Sequence, residues 1–257
     1  MTNDDAVGSK YWSLKWEKEK PPPIIKWLAH NYSVIKLLKK YITVRQPLIL
    51  EIGCGPEGRW LKCLKKELGA EIYGIDYSLI GIKSTYFAIK NLNPKLILAD
   101  AFHIPLKQEV FDLVFSMGVI EHYDNPEEII QKHIDLVKPG GIVFIQIPNL
   151  ASSSVNGIIN KIFNEKISED HNISIMEPEK FKNLFISLTN EMSELYCGPY
   201  GPLNLAASRW PFRSSPLIYI VHLINFFIGY ITYILRINSR FISSSYVYIG
   251  RKKYNKE

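Results

Sequence analysis

The chain has 257 residues, of which 47% are apolar, enough to bury one large α/β domain or a somewhat smaller domain with an appendage. Its formal net charge is +6, with basic residues gathered in the first forty positions (Lys10, Lys15, Lys18, Lys20, Lys26, Lys36, Lys39, Lys40) and in the tail (Arg251, Lys252, Lys253, Lys256). That bias suits an acidic membrane surface or an anionic ligand, and equally a set of solvated helices; with no concentrated basic stripe, nucleic acid is not expected as a partner.

Residues 1–46 read as N-terminal capping helices, with an aromatic segment YWSLKW at Tyr11–Trp16. From residue 47 to residue 149, short β-rich runs alternate with longer helical patterns, the signature of a parallel sheet covered by helices on both faces. Five strands are expected: Pro47–Gly53, Glu71–Asp76, Lys95–Asp100, Phe111–Met117 and Gly141–Pro148. Their near-continuous apolar character is what burial on both faces requires. Ser78 is placed to cap the helix after the second strand, and Asp124 or Asn125 followed by Pro126, Glu127 and Glu128 to start the one after the fourth. Lys138-Pro139-Gly140-Gly141 is expected to stop that helix and turn the chain into the fifth strand. Residues 150–176 are polar and read as a lid with one weak helix, and Glu177-Pro178-Glu179 opens another helix to about Leu188. A sixth strand, Glu191–Cys197, and a seventh, Ser245–Lys252, flank an apolar insertion at about 203–240.

The three cysteines, Cys54, Cys63 and Cys197, are odd in number and form no CxxC pair, so neither a disulfide framework nor a zinc site is expected, and a reducing cytosol fits. The opening MTNDDAVGSK leads into no apolar run, so no conventional signal peptide is expected, and the protein is expected on the cytoplasmic side.

Directly after the first strand comes EIGCGPEG, Glu51–Gly58. Gly53, Gly55 and Gly58 let the backbone turn sharply and approach a ligand, and the helix that follows offers its N-terminal N–H groups to an anionic or polar group. On its own this GxGxxG spacing also fits a dinucleotide fingerprint, with Asp76 as the ribose-binding acid.

The run from about residue 47 to residue 149 resembles the class I S-adenosylmethionine-dependent methyltransferases. The resemblance rests on the glycine loop and then, in order, on Ala99–Leu106 (ADAFHIPL), Phe111–Pro126 (FDLVFSMGVIEHYDNP) and Val137–Asn149 (VKPGGIVFIQIPN). It implies a Rossmann-like, mostly parallel seven-stranded sheet with an antiparallel last strand, and residues 47–257 as the methyltransferase domain. It also implies S-adenosyl-L-methionine as cofactor. Glu51 would organise the loop and the methionine end, Asp76 would bind both ribose hydroxyls, and Asp100 would face the adenine amino group, with backbone at Ala101 or Phe102 against the ring. Gly53, Cys54, Gly55, Tyr77 and Met117 complete the expected cofactor set. The acids are apt, since hydroxyls and an exocyclic amine are donors seeking an acceptor. Asp76 as a plain helix cap, Asp100 as an ordinary turn residue and Cys54 as a small filler stand beside those roles.

On the acceptor side, Ser116, Met117, Glu121, His122 and Tyr123 are expected at the C-terminal edge of the sheet, where open α/β folds hold ligands. His122, and His171 in the lid segment Glu169-Asp170-His171, are the candidate catalytic bases for a hydroxyl acceptor; a neutral amine needs only positioning. Some quinone-pathway O-methyltransferases carry an ExxEH metal cluster at this point, but its first position is Gly118 here, so no metal is expected. Aromatic residues of Tyr11–Trp16 near a sulfonium would gain cation–π attraction, and packing against the sheet edge accounts for them equally well.

Between Arg213 and Arg236 there is no Asp, Glu, Lys or Arg. A single membrane crossing would strand the seventh strand across the bilayer from its partners. His222, Asn225, Gly229, Thr232 and Arg236 recur at intervals of three and four, which reads as an interfacial helix with peripheral membrane contact through residues 214–237, Tyr219, Tyr230 and Tyr233 lying near headgroup level. Packing on the protein's own surface or a dimer contact is the alternative, and the oligomeric state is open. The expected function is therefore methyl transfer to a small-molecule or lipid-linked acceptor. A non-catalytic cofactor-binding member of the fold and a nicotinamide-dependent oxidoreductase stand as rivals.

Overall fold

A computed structural model describes residues 8–18, 28–163, 171–186, 188, 191–200, 217–235 and 237–254. Helices α1 (Ser9–Lys18) and α2 (Leu28–Tyr41) precede the first strand. The chain then runs β1 (Leu48–Ile52), α3 (Arg59–Leu68), β2 (Glu71–Asp76), α4 (Leu79–Ile89), β3 (Lys95–Leu98), β4 (Phe111–Met117), α5 (Pro126–Leu136) and β5 (Val137–Pro148). It closes with α6 (Val155–Phe163), α7 (Pro178–Asn183), β6 (Met192–Tyr200), α8 (Leu217–Ile234) and β7 (Ser245–Lys252).

These strands form one seven-stranded sheet in the order β3-β2-β1-β4-β5-β7-β6. All neighbours pair in parallel except β7, which is antiparallel to both β5 and β6. Alternating residues divide the core into two layers. Leu50, Ile52, Val114, Val143 and Ile145 pack with Ile130 and Ile134 of α5 and with Phe181 of α7. Ile49, Leu113, Phe115 and Phe144 pack on the other face with Leu38 of α2 and with Trp60, Leu61 and Leu64 of α3. Each side chain of this size contributes about 1.5–3 kcal/mol when fully buried, which is why strands covered on both faces read as unbroken apolar runs.

Helix boundaries follow local chemistry. Ser78 caps α4, its hydroxyl accepting the Gly81 N–H at 3.2 Å. Pro126 opens α5 behind Asn125, whose side chain makes no capping bond. Lys252 closes that helix from the end of β7, donating to the carbonyls of Ile134 at 2.9 Å and Val137 at 3.2 Å.

Several expected boundaries move. β5 begins at Val137 and not at Gly141: Val137 pairs with Phe111 before the register shifts, and Lys138-Pro139-Gly140 is absorbed as an irregularity. β3 ends at Leu98, because Asp100 turns back to accept the Phe102 N–H at 3.0 Å. The helix opened by Pro178 stops at Asn183, and β6 runs on to Tyr200. Glu169, Asp170, Arg213 and Arg236 lie outside the described residues, as do the side chains of Tyr219, His222, Asn225, Gly229, Thr232 and Tyr233.

Candidate active site

The order of the sheet places the site. β1 lies between β2, which continues one way to β3, and β4, which continues the other way to β5, so the C-terminal ends of β1 and β4 part at a topological switch point. Three loops meet there. Gly53 (φ +72°), Gly55 (φ +54°) and Gly58 (φ +52°) give the loop after β1 its left-handed turns. At Gly53 a Cβ would come within 2.6 Å of Val119 Cγ2, so the loop after β4 approaches this backbone as closely as glycine permits.

Asp76 ties the first two loops together. One carboxylate oxygen accepts the Gly55 N–H and the other the Ser78 N–H, both at 2.8 Å. It is 8% exposed, and burial raises its pKa against the lowering effect of those two bonds. Ser78, not Asp76, caps α4, so the bonds of Asp76 tie the two loops, and each of its oxygens keeps a lone pair for a further donor. Glu51 lies deeper, 2% exposed, with one carboxylate oxygen that has no hydrogen-bond partner among the described residues. Burial lifts its pKa well above the usual carboxylate range, with Arg59 pulling it down and Asp76 pushing it up. A buried acceptor left unmade costs about 1–3 kcal/mol, a cost that a donor such as an ammonium would remove.

Ile52, Gly53, Ile75, Asp76, Tyr77, Ala99, Ala101, Val119 and Tyr123 line a recess of about 20 Å³, room for a single water, and Glu51 stands behind this lining. The small size of the recess has a visible cause. Helix α1 lies over the glycine loop: Trp16 would be 3.8 Å from a Cβ at Gly55 and 3.4 Å from one at Gly81, Ser13 bonds Ser78, and Ser9 donates to the Tyr77 carbonyl. Trp12 stacks on Trp16 with ring centroids 5.2 Å apart. A larger cavity of about 370 Å³, beside His103, Gln108, Lys132 and Asp135, shares no lining residue with this recess.

The remaining expected cofactor residues divide. Tyr77 and Ala101 line the recess. Asp100 stands outside its lining, engaged with the Phe102 N–H and with His103 Nδ1 at 3.5 Å. Phe102 packs edge-on against Tyr123 with centroids 5.2 Å apart. Cys54 points the other way: its sulfur would be 2.9 Å from a Cβ at Gly74, inside the sheet–helix layer, and burial raises its thiol pKa well above the ordinary value. It acts as filler, its backbone N–H donating to Ile75 O at 2.9 Å. Met117 is half-buried against the α2–α3 layer.

Beyond β4, a 3-10 turn carries Glu121 and His122, both buried. Asn172 N–H donates to the Glu121 carbonyl at 2.7 Å, and this bond brings the preceding His171 against His122, ring centroids 4.5 Å apart. Trp12 meets His122 edge-on at 4.7 Å from the opposite side. Burial, opposed by a backbone hydrogen bond and by Lys15, raises the Glu121 carboxyl to about 8. Sequence reading named these residues singly and missed their convergence. Gly118 adopts φ +71°, with Glu121 Oε1 3.3 Å from where a Cβ would stand, which explains the glycine there.

Residues 50–145 match the methyltransferase domain family. The ubiquinone biosynthesis O-methyltransferase of Coxiella burnetii (strain Dugway 5J108-111) is 29% identical over 117 residues, covering 45% of this chain and 49% of that one. The protein of the same name from Yersinia pestis (strain Pestoides F) is 28% identical over 153 residues, covering 58% and 60%. The chain thus spans about half to three-fifths of the length of these curated relatives. Among solved structures, the plantazolicin methyltransferase BpumL superposes with a TM-score of 0.61 at 17% identity over 95% of this chain and 91% of that one. Phosphoethanolamine N-methyltransferase 2 of Haemonchus contortus, solved with S-adenosyl-L-methionine, does so with a TM-score of 0.60 at 16% identity over 88% and 53%. With the observed strand order and glycine loop, these matches define a methyltransferase fold. The chain thus has the class I, Rossmann-like methyltransferase fold, with the family match confined to residues 50–145.

Proposed function

We propose that this chain transfers the methyl group of S-adenosylmethionine to an oxygen or nitrogen of a small-molecule or lipid-linked acceptor at a membrane surface. The observation that carries the methyl-transfer reading is the pairing of Asp76 with a buried, uncommitted oxygen of Glu51 beneath a left-handed glycine loop at the switch point. When bound, the cofactor supplies a methyl on a sulfonium, a group that leaves with its electron pair on sulfur as a neutral thioether. Glu51 takes the ammonium of the methionine end, and Asp76 takes the ribose hydroxyls through its free lone pairs. Ile52, Ile75 and Ala101 supply an apolar wall. Catalysis is then mainly alignment in a dry site. Glu121 and His122 follow the recess-lining Val119 in the turn after β4, and His171 meets them from the lid segment, placed to handle the proton of an acceptor hydroxyl. Relatives named as O-methyltransferases favour oxygen as the acceptor atom.

Support for the membrane reading comes from α8. Ile220, Leu223, Ile224, Phe227, Tyr230, Ile231 and Ile234 recur at helical spacing, and each is 44–56% exposed. The helix packs beside α2, which carries Lys36, Lys39 and Lys40. An apolar stripe flanked by lysines matches an anionic bilayer surface. No helix among the described residues is long and apolar enough to cross a membrane.

The test is transfer of labelled methyl from S-adenosylmethionine into separated lipid and aqueous small-molecule extracts. Incorporation into a lipid fraction, lost in Asp76→Ala, is expected. Absence of label from every fraction, with the cofactor bound, would favour a non-catalytic member of the fold.

A further inference from the structure

We propose that Glu121, His122 and His171 form a binding site for one divalent transition-metal ion, best matched to zinc. One ligand atom from each lies within 4.8 Å of the others, and among the described residues no other three His, Cys, Asp or Glu side chains converge so closely. Donors around a tetrahedral zinc at about 2.1 Å stand about 3.4 Å apart, so atoms within 4.8 Å of one another need a closure of up to about 1.4 Å. The half-buried His171 at the edge of the lid supplies that movement.

Two features mark the cluster as more than a chance meeting of polar side chains. Glu121 is 1% exposed, and its Oε2 has no hydrogen-bond partner among the described residues, an arrangement that costs stability until a cation or donor arrives. Its position is also built: the Asn172 N–H bond to the Glu121 carbonyl holds the neighbouring His171 beside His122, ring centroids 4.5 Å apart. Lys15, which stands over the Trp12 ring at 4.7 Å, acts on Glu121 electrostatically and would compete with the ion.

Donor chemistry selects the metal. Two imidazoles and one carboxylate form a three-ligand set that leaves a fourth position open on zinc, whereas magnesium and calcium favour all-oxygen sites. Position 118 is a glycine and offers no ligand, and His171 from a distant loop stands beside Glu121 and His122. Metal binding itself needs only these three side chains; the ion's part in catalysis rests on the methyl-transfer reading. There the open position would take the acceptor oxygen and lower the pKa of its hydroxyl, so that the proton leaves to solvent and the oxygen lone pair forms the bond to the methyl carbon as the carbon–sulfur bond breaks with its electron pair on the sulfur of the cofactor.

The experiment uses the untagged full chain, stripped with a chelator and titrated with Zn²⁺, with metal content read by mass spectrometry and Co²⁺ substituted for its absorption spectrum. One ion per chain and the visible bands of a low-coordinate cobalt site are expected. His171→Ala, at the half-buried position, should weaken Zn²⁺ binding by roughly tenfold or more while leaving S-adenosylhomocysteine affinity unchanged. Glu121→Gln provides a second variant of nearly the same shape with the same expected loss. A wild type that retains no stoichiometric metal, or a His171→Ala protein that binds Zn²⁺ as tightly as wild type, overturns the site. Metal binding without any cofactor binding would uphold the site and refute the methyltransferase reading instead.

Discussion

Replacing Asp76 tests the cofactor site at its structural hinge. Its two oxygens already hold the N–H groups of Gly55 and Ser78 at 2.8 Å, so Asp76→Ala removes both the staple between two loops and the acceptors for two ribose hydroxyls. Hydrogen bonds to a charged group contribute about 1.5–3 kcal/mol each, so loss of the two ribose contacts costs about 3–6 kcal/mol, or roughly 10²–10⁴-fold in affinity. Asp76→Asn keeps the shape but turns an amide donor toward a backbone N–H, and it should fall between wild type and alanine. Isothermal titration with S-adenosylmethionine and S-adenosylhomocysteine measures the loss, and a cooperative thermal transition certifies that the variant is folded. A folded Asp76→Ala protein that binds S-adenosylhomocysteine within about threefold of wild type would refute the reasoning. Binding of NADH in place of either ligand would do the same for the family assignment.

Three further outcomes are expected. Gly53→Ala combines a φ of +72° with a Cβ 2.6 Å from Val119 Cγ2; it should lower stability by about 1–3 kcal/mol and weaken cofactor binding, and an unchanged thermal midpoint would contradict the close approach. His133 is wholly buried, with Nδ1 2.7 Å from the Ile129 carbonyl, and burial lowers its pKa from 6.5 to about 4. Its neutral form is favoured in the folded state, so stability is fully present above pH 6.5 and is lost as the pH falls toward about 4, by about 3 kcal/mol; His133→Leu should flatten that part of the denaturation profile, and an identical slope would count against it. Phe227→Glu with Ile231→Glu on the exposed face of α8 should abolish sedimentation with anionic vesicles while leaving S-adenosylhomocysteine binding intact; equal sedimentation of the double variant would argue for a surface elsewhere.

Legibility in the sequence followed the physics of burial. β2, β4 and β7 run over the expected residues because strands buried on both faces leave uninterrupted apolar runs bounded by polar turns. The glycine loop and Asp76 were equally readable, since positive φ and a strand-end carboxylate each demand a narrow choice of residue. β5 was less so: Pro139 and Gly140 look like a turn, and only pairing with Phe111 across an irregular register draws them into a strand. Glu121, His122 and His171 were each named from the sequence, but not their meeting, because the segments joined by the Asn172 N–H to Glu121 carbonyl bond lie far apart in the chain. Asp100 is held by its own turn, through the Phe102 N–H, a local arrangement that a strand-end acid in the sequence does not announce.

The most direct measurement is a crystal structure of the chain soaked or grown with S-adenosylhomocysteine. The account predicts the ribose hydroxyls on Asp76, the ammonium on Glu51, the adenine beside Ala101 and helix α1 displaced from Gly55. A nucleoside bound away from β1 and β2, or a ligand that leaves both carboxylates untouched, would contradict it.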